Sequence, residues 1–132
     1  MIFKPEDKFQ ETFTVHEDIY KGFIKVFRDE NPLHTDSDFA QEKGFKGVVM
    51  HGNILNGFLS YFIGEVLPTK NVIIHSQEIQ YKNAVHLNDE LEFSAEVIGT
   101  YESVGAVEFK YSFKNRVAKT VAKGKFQIGL LK

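Results

Sequence analysis

Three stretches in the second half of the sequence alternate apolar and polar residues, and this alternation constrains the fold more than any other feature. They cover residues 91–97, 107–113 and 118–128. Because successive side chains of a β-strand point to opposite faces of a sheet, each stretch predicts a strand with one buried and one solvated face. Val72–Tyr81 is also rich in β-forming residues. The region after Pro68 is therefore predicted to form an antiparallel sheet.

Helical periodicity is confined to the region before Pro68. A short strand is expected at residues 13–15, followed by a helix that a Thr14-x-x-Glu17 capping box would start and that ends near Asp29. A second helix is expected over residues 53–66. One of its faces is apolar and the other carries small or polar residues, so it is predicted to be buried on all sides. The small or polar face consists of Asn53, Gly57, Ser60 and Gly64.

Length and composition narrow the class of protein. A chain of 132 residues predicts one domain over residues 1–132, and a net charge of −2 offers no cationic surface for nucleic acid or anionic lipid. The absence of cysteine excludes disulfides and thiolate chemistry and fits a cytoplasmic location. We see no signal peptide, and the most apolar stretch, residues 54–67, is too short and too polar to span a bilayer. Partners among nucleic acids and membranes are therefore not expected.

A carboxylate and an imidazole lie five positions apart in residues 29–34, Asp-Glu-Asn-Pro-Leu-His. Such a pair, separated by an Asn-Pro turn, can hold one water between a base and a proton donor. Taken singly, Asp29 is typical of a solvated turn and His34 of a loop hydrogen-bonder. Their spacing, together with the later His51-Gly52 pair, favours a catalytic site.

These residues resemble the signature of the MaoC-like dehydratases, also called (R)-specific enoyl-CoA hydratases. The pattern Asp-x-Asn-Pro-x-His is met here by Asp29, Asn31, Pro32 and His34. The resemblance extends from Thr14 to about Leu130 and implies the hot-dog fold, an α+β architecture in which an antiparallel sheet wraps around a long central helix. Three positions depart from the family pattern, since Arg28 and Asn88 replace glycines and Ala84 replaces a proline. Arg28 is expected to alter the entry into the catalytic loop or to contact phosphates of the ligand.

The resemblance also implies the reaction, which is reversible hydration of a trans-2-enoyl thioester to the (R)-3-hydroxyacyl thioester. It implies that Asp29 is the base that acts on the water and that His34 is its partner. It also implies that the Gly52 N–H group binds the oxyanion. Ser60 matches a family position near the catalytic aspartate, and supporting loop roles fall to Asn31, Pro32 and His51. No metal or cofactor is implied, because coenzyme A or the phosphopantetheine of an acyl carrier protein belongs to the substrate. The expected assembly is a homodimer or a dimer of dimers.

Two other functions remain open at this stage, a hot-dog thioesterase and a non-catalytic acyl-binding module. A thioesterase would need a carboxylate in the central helix, which has none before Glu65. A metal site built from His34, Asp36, His51 and His86 lacks recognisable ligand spacing. Three bulky rings of the central helix, Phe58, Tyr61 and Phe62, lead us to expect a narrow pocket for short acyl chains.

Overall fold

The computed structural model describes residues 1–132 and contains one five-stranded antiparallel sheet. The strands are β1 (Lys8–Thr14), β2 (Val72–Tyr81), β3 (Glu90–Tyr101), β4 (Ala106–Lys114) and β5 (Thr120–Leu130), in the spatial order β1-β3-β4-β5-β2. The helices are α1 (Glu17–Phe27), α2 (Pro32–Thr35), α3 (Ser37–Glu42) and α4 (Asn53–Tyr61). A π-helical segment, Phe62–Val66, prolongs α4, and a 3₁₀ turn, Glu102–Val104, joins β3 to β4. The α+β hot-dog architecture is confirmed, with a sheet curled around α4.

The alternating residues of the strands form the core as the sequence predicts. Leu91, Phe93, Ala95 and Val97 of β3 and Val107, Phe109, Tyr111 and Phe113 of β4 are all buried. Aromatic rings join the sheet to the central helix, since Phe58 stacks on Phe13 at 4.6 Å between ring centroids and Phe62 lies 4.7 Å from Phe93. None of the helices has both the length and the apolar character that are needed to cross a membrane.

The central helix occupies the predicted residues but is buried on one side only, so the expectation of burial all round was wrong for the isolated chain. Ile54, Leu55, Phe58 and Leu59 are buried. The small or polar face, formed by Asn53, Gly57, Ser60 and Gly64, is exposed. No element of the same chain covers that face.

The start of α1 differs from the predicted capping box. Thr14 is the last residue of β1 and pairs with Glu90 of β3, so it cannot cap the helix. The N-cap position is His16, and its side chain makes no capping hydrogen bond. Strand pairing along the whole of β1 overrides the local Thr-x-x-Glu signal, and β1 is longer than the three residues expected.

Two positions where the family pattern has glycine adopt the left-handed conformation. Arg28 has φ 61° and Asn88 has φ 69°. At the end of α1 the Arg28 N–H donates to the Ile24 carbonyl, which closes the helix. The left-handed conformation costs a non-glycine residue about 1–2 kcal/mol, and a cation at a helix C-terminus offsets about 0.3–1 kcal/mol of that cost. Arg28 therefore keeps the backbone geometry that a glycine would adopt.

Candidate active site

The loop after α1 is built by a turn that positions both candidate catalytic residues. Asn31 caps the short helix α2 by accepting from the Leu33 N–H at 3.0 Å, and Pro32 occupies the first helical turn. The Asp29 carboxylate accepts from the Asn31 N–H at 3.2 Å. The sequence did not predict helices α2 and α3, because each is too short to show a hydrophobic period. Helix α2 nevertheless carries His34 towards the start of α4.

The His34 imidazole is held by one hydrogen bond to the main chain. Its Nδ1 lies 2.7 Å from the Val49 carbonyl, which can only accept, so Nδ1 carries the proton. The Nε2 atom has no partner within the chain and is left to act on a ligand or a water. The Tyr20 hydroxyl donates to the His34 carbonyl. Burial raises the pKa of Tyr20 further above neutrality, which is consistent with a protonated phenol that donates here.

His51 lies beneath the loop that carries Asp29 and His34 and is only 3% exposed. Its Nε2 is 2.8 Å from the Asp29 carbonyl oxygen, and its ring stacks on His34 with 4.0 Å between centroids and an angle of 28°. The Phe23 ring packs 4.6 Å away. The other ring nitrogen, Nδ1, is buried without a hydrogen-bond partner.

Gly52 begins the central helix with an N–H that has no hydrogen-bond acceptor in the chain. The helix dipole makes this end favourable for negative charge. A Cβ at this position would lie 2.8 Å from the Tyr81 ring, so the absence of a side chain allows Tyr81 to pack over the glycine. Asn56 donates to the Tyr81 hydroxyl at 3.3 Å. The sequence placed Tyr81 at the end of a predicted strand but gave no sign that it belongs to the site.

A cavity of about 580 Å³ brings these groups together. Its polar lining includes Asp29, His34, His51 and Gly52. A second, more apolar groove of about 810 Å³ runs between α1 and α4, and it also reaches Asp29. Ser60 lines neither space and is exposed, so this chain does not bring it to the other site residues.

The three rings expected to narrow an acyl pocket have different environments. Phe62 is fully buried against the sheet and lines neither space, so for this residue the expectation was wrong. Tyr61 is exposed and also lines neither space, whereas Phe58 does line the groove between α1 and α4. The three rings therefore do not narrow a single acyl pocket, and they give no reason to expect a preference for short acyl chains.

Asp29, His34 and His51 each place one potential metal ligand within 4.8 Å of the others. Two ring nitrogens, Nδ1 of His34 and Nε2 of His51, are already bonded to main-chain carbonyls. The remaining nitrogen of His51 is buried. Since a cation would have to break these bonds or reach the buried nitrogen, the arrangement suits a water better than a metal ion. The cluster supplies a carboxylate, an imidazole with a free Nε2 and a nearby N–H donor.

A sheet curled around one helix, with this cluster at the start of that helix, defines a hot-dog protein with a candidate acid–base site. The chain belongs to the MaoC-like family, because the sequence profile described as "MaoC like domain" matches residues 3–121.

Relatives and solved structures agree with this assignment. An (R)-specific enoyl-CoA hydratase of Rhodospirillum rubrum is 32% identical over 93 residues, covering 70% of this chain and 64% of that protein. An (R)-specific enoyl-CoA hydratase of Aeromonas caviae is 34% identical over 81 residues, covering 61% of this chain and 60% of that protein. The chain thus spans less than two thirds of either relative. The structure of an (R)-hydratase from A. caviae involved in PHA biosynthesis matches with a TM-score of 0.89 at 23% identity, covering 98% of both chains. It shares the fold.

Proposed function

We propose that this protein is an (R)-specific enoyl-thioester hydratase that also catalyses the reverse dehydration. The observation that supports the proposal most directly is that Asp29, His34 and Gly52 border the same cavity. The relatives named (R)-specific enoyl-CoA hydratases support the choice of substrate.

The proposed reaction adds one water across the C2–C3 double bond. Asp29 accepts a proton from the water as its oxygen bonds to C3, and His34 holds that water through the free Nε2. The π electrons of the double bond move toward the thioester carbonyl and form an enolate. A proton from the Asp29–His34 pair then returns to C2, so the pair ends in its starting state. Because one water and one pair serve both steps, addition is syn.

The Gly52 N–H is the proposed donor to the enolate oxygen. It is unpaired in the chain, and no side chain of its own obstructs it. One donor of this kind typically contributes about 3 kcal/mol to the stability of the transition state. The proposal needs no metal and no separate cofactor, since coenzyme A or a carrier-protein phosphopantetheine enters as part of the substrate.

The thioesterase alternative is less well supported by the structure. Helix α4 contains no carboxylate, and the Glu65 side chain is exposed and paired with Lys70 at 3.0 Å. A non-catalytic acyl-binding module has no use for a carboxylate and a free imidazole nitrogen beside the same cavity. Reaction of the protein with crotonyl-CoA distinguishes both alternatives from a hydratase.

Mixing the protein with crotonyl-CoA tests the proposal directly. We expect the absorbance of the conjugated enoyl thioester to fall without release of free thiol, and chiral analysis to identify the product as (R)-3-hydroxybutyryl-CoA. Release of thiol would show a thioesterase. If neither crotonyl-CoA nor longer enoyl thioesters change, the hydratase proposal is wrong.

We propose that the protein assembles as a two-fold homodimer through the β2 edge and the exposed face of α4. Strand β2 is a ten-residue edge strand on which Ile73 is 53% and Ile74 is 41% exposed. Long exposed edges favour pairing with another chain. The role of Ser60 and the cytoplasmic location stay predictions, and Ser60 would lie at this interface.

Light scattering at micromolar concentration should give twice the mass of one chain. Ile74→Lys is expected to shift the protein towards monomer, because it places a charge on the paired edge. Val117→Lys is the matched control, since Val117 is 80% exposed in the turn before β5 and should leave the dimer intact. A wild-type monomer would refute the assembly.

A further inference from the structure

We infer that His51 is a positioning residue that holds both Asp29 and His34 in place, one by a hydrogen bond and the other by ring stacking. This inference rests on the proposed function and goes beyond the supporting role expected at the Gly52 turn. No other side chain of the protein makes a hydrogen bond to Asp29 and also stacks on His34.

The hydrogen bond determines the protonation state of His51. Its Nε2 faces the Asp29 carbonyl oxygen at 2.8 Å, and that oxygen can only accept, so Nε2 carries a proton. A second proton on Nδ1 would be a buried donor with no acceptor. Leaving a buried donor unsatisfied is costly, and burying an unpaired charge costs more. His51 is therefore neutral, with its proton on Nε2.

This bond anchors the backbone at the catalytic carboxylate. Asp29 follows Arg28, whose left-handed conformation turns the chain out of α1, and the Asp29 side chain itself is exposed. The Asp29 carboxylate also accepts from the Asn31 N–H, but that contact stays within the turn. The hydrogen bond from His51 to the Asp29 carbonyl oxygen connects Asp29 to the start of α4. Without it, the carboxylate loses its alignment with the water.

The stacked ring restrains the second member of the pair. The His34 ring is held at Nδ1 by its bond to Val49, and the centroid of the His51 ring lies 4.0 Å from that of His34. Phe23 packs near His51 at 4.6 Å and keeps that ring in place. A neutral ring in this position supports His34 without adding a charge beside the proposed catalytic pair.

Three substitutions separate the two contacts. His51→Gln keeps an N–H donor for Asp29 but removes the stacked ring, whereas His51→Phe keeps the ring but removes the donor. Each is expected to lower kcat about 10-fold, with KM changed by less than about 3-fold, because misplacing a reacting group affects the chemical step more than binding. His51→Leu loses both contacts and should lower kcat about 100-fold if the two act independently.

His86→Leu is the matched control. His86 makes the same kind of bond, from Nδ1 to the Val48 carbonyl at 2.9 Å, but contacts neither catalytic residue. It should lose stability at unchanged kcat. Thermal melts of every variant establish the folded fraction, so kcat is compared per folded molecule. A His51→Leu variant within about 3-fold of wild type, or one no slower than His86→Leu, overturns the positioning role.

Nitrogen-15 spectra of the His51 ring provide a readout that needs no substrate. We expect a protonated Nε2 and an unprotonated Nδ1 across the neutral range. A protonated Nδ1 would overturn the inference even if the enzyme is active. An inactive wild type with the expected tautomer would refute the hydratase proposal and leave the contacts of His51 standing.

Discussion

Asp29→Asn and His34→Gln are each expected to lower kcat for hydration by about 10²-fold or more, the usual scale for general acid–base groups. In the first variant the amide oxygen can still accept from the Asn31 N–H, so the turn survives while the base is lost. In the second variant a polar amide remains beside Val49, but the imidazole Nε2 that holds the water is lost. Steady-state rates with crotonyl-CoA, compared per folded molecule, measure the effect.

Glu30→Gln is the control for the catalytic pair. Glu30 is an exposed carboxylate one residue from Asp29, and it lines neither the cavity nor the groove. Its neutralisation should leave kcat unchanged, which separates loss of the base from loss of negative charge in the loop. A near wild-type rate for either catalytic variant would show that the assigned residue has another role.

Gly124→Ala is expected to destabilise the fold by about 3 kcal/mol, at the upper end of the usual cost of overpacking. A Cβ at residue 124 would lie 2.0 Å from the Glu78 carbonyl oxygen and 2.9 Å from the Tyr111 hydroxyl. The Tyr111 hydroxyl passes over this glycine to donate to the same carbonyl at 2.7 Å, so there is no flexible side chain to move aside. Urea unfolding followed by circular dichroism gives the change in the free energy of unfolding.

Gly22→Ala provides the contrast within the same chain. Gly22 lies inside α1, and a Cβ there would meet no atom within 4 Å. Alanine should therefore stabilise the protein by about 0.5–1 kcal/mol, because it restricts the unfolded chain and favours the helix. Equal unfolding free energies for the two alanine variants would show that β2 and β5 separate more easily than the structure indicates.

Gly124 also shows that a small residue in a strand need not mark a close approach to the central helix. The nearest neighbours of Gly124 are instead the Tyr111 hydroxyl and the Glu78 main chain. This contact between strands β2, β4 and β5 joins residues that are far apart in the chain, so no local pattern reveals it.

The sequence by itself determined strands β2 to β5, the central helix and the segment that carries the proposed catalytic pair. Alternation of apolar and polar residues along a strand shows locally which face is buried. The β-rich composition of residues 72–81 predicted the observed limits of β2. At Arg28 the sequence led us to expect an altered entry into the loop, whereas the residue adopts the left-handed conformation that a glycine would adopt.

Only the tertiary structure decided what surrounds those elements. The capping box at Thr14 failed because pairing with β3 is a long-range interaction that outweighs a single cap. The burial of His51, its bond to Asp29 and its stack on His34 join residues 17 to 22 positions apart. The surroundings of the unpaired Gly52 N–H depend on the packing of Tyr81, which lies on another element. The chemistry at this site depends on distances between its residues that are set only when the sheet packs around the helix, so the sequence pattern cannot predict them.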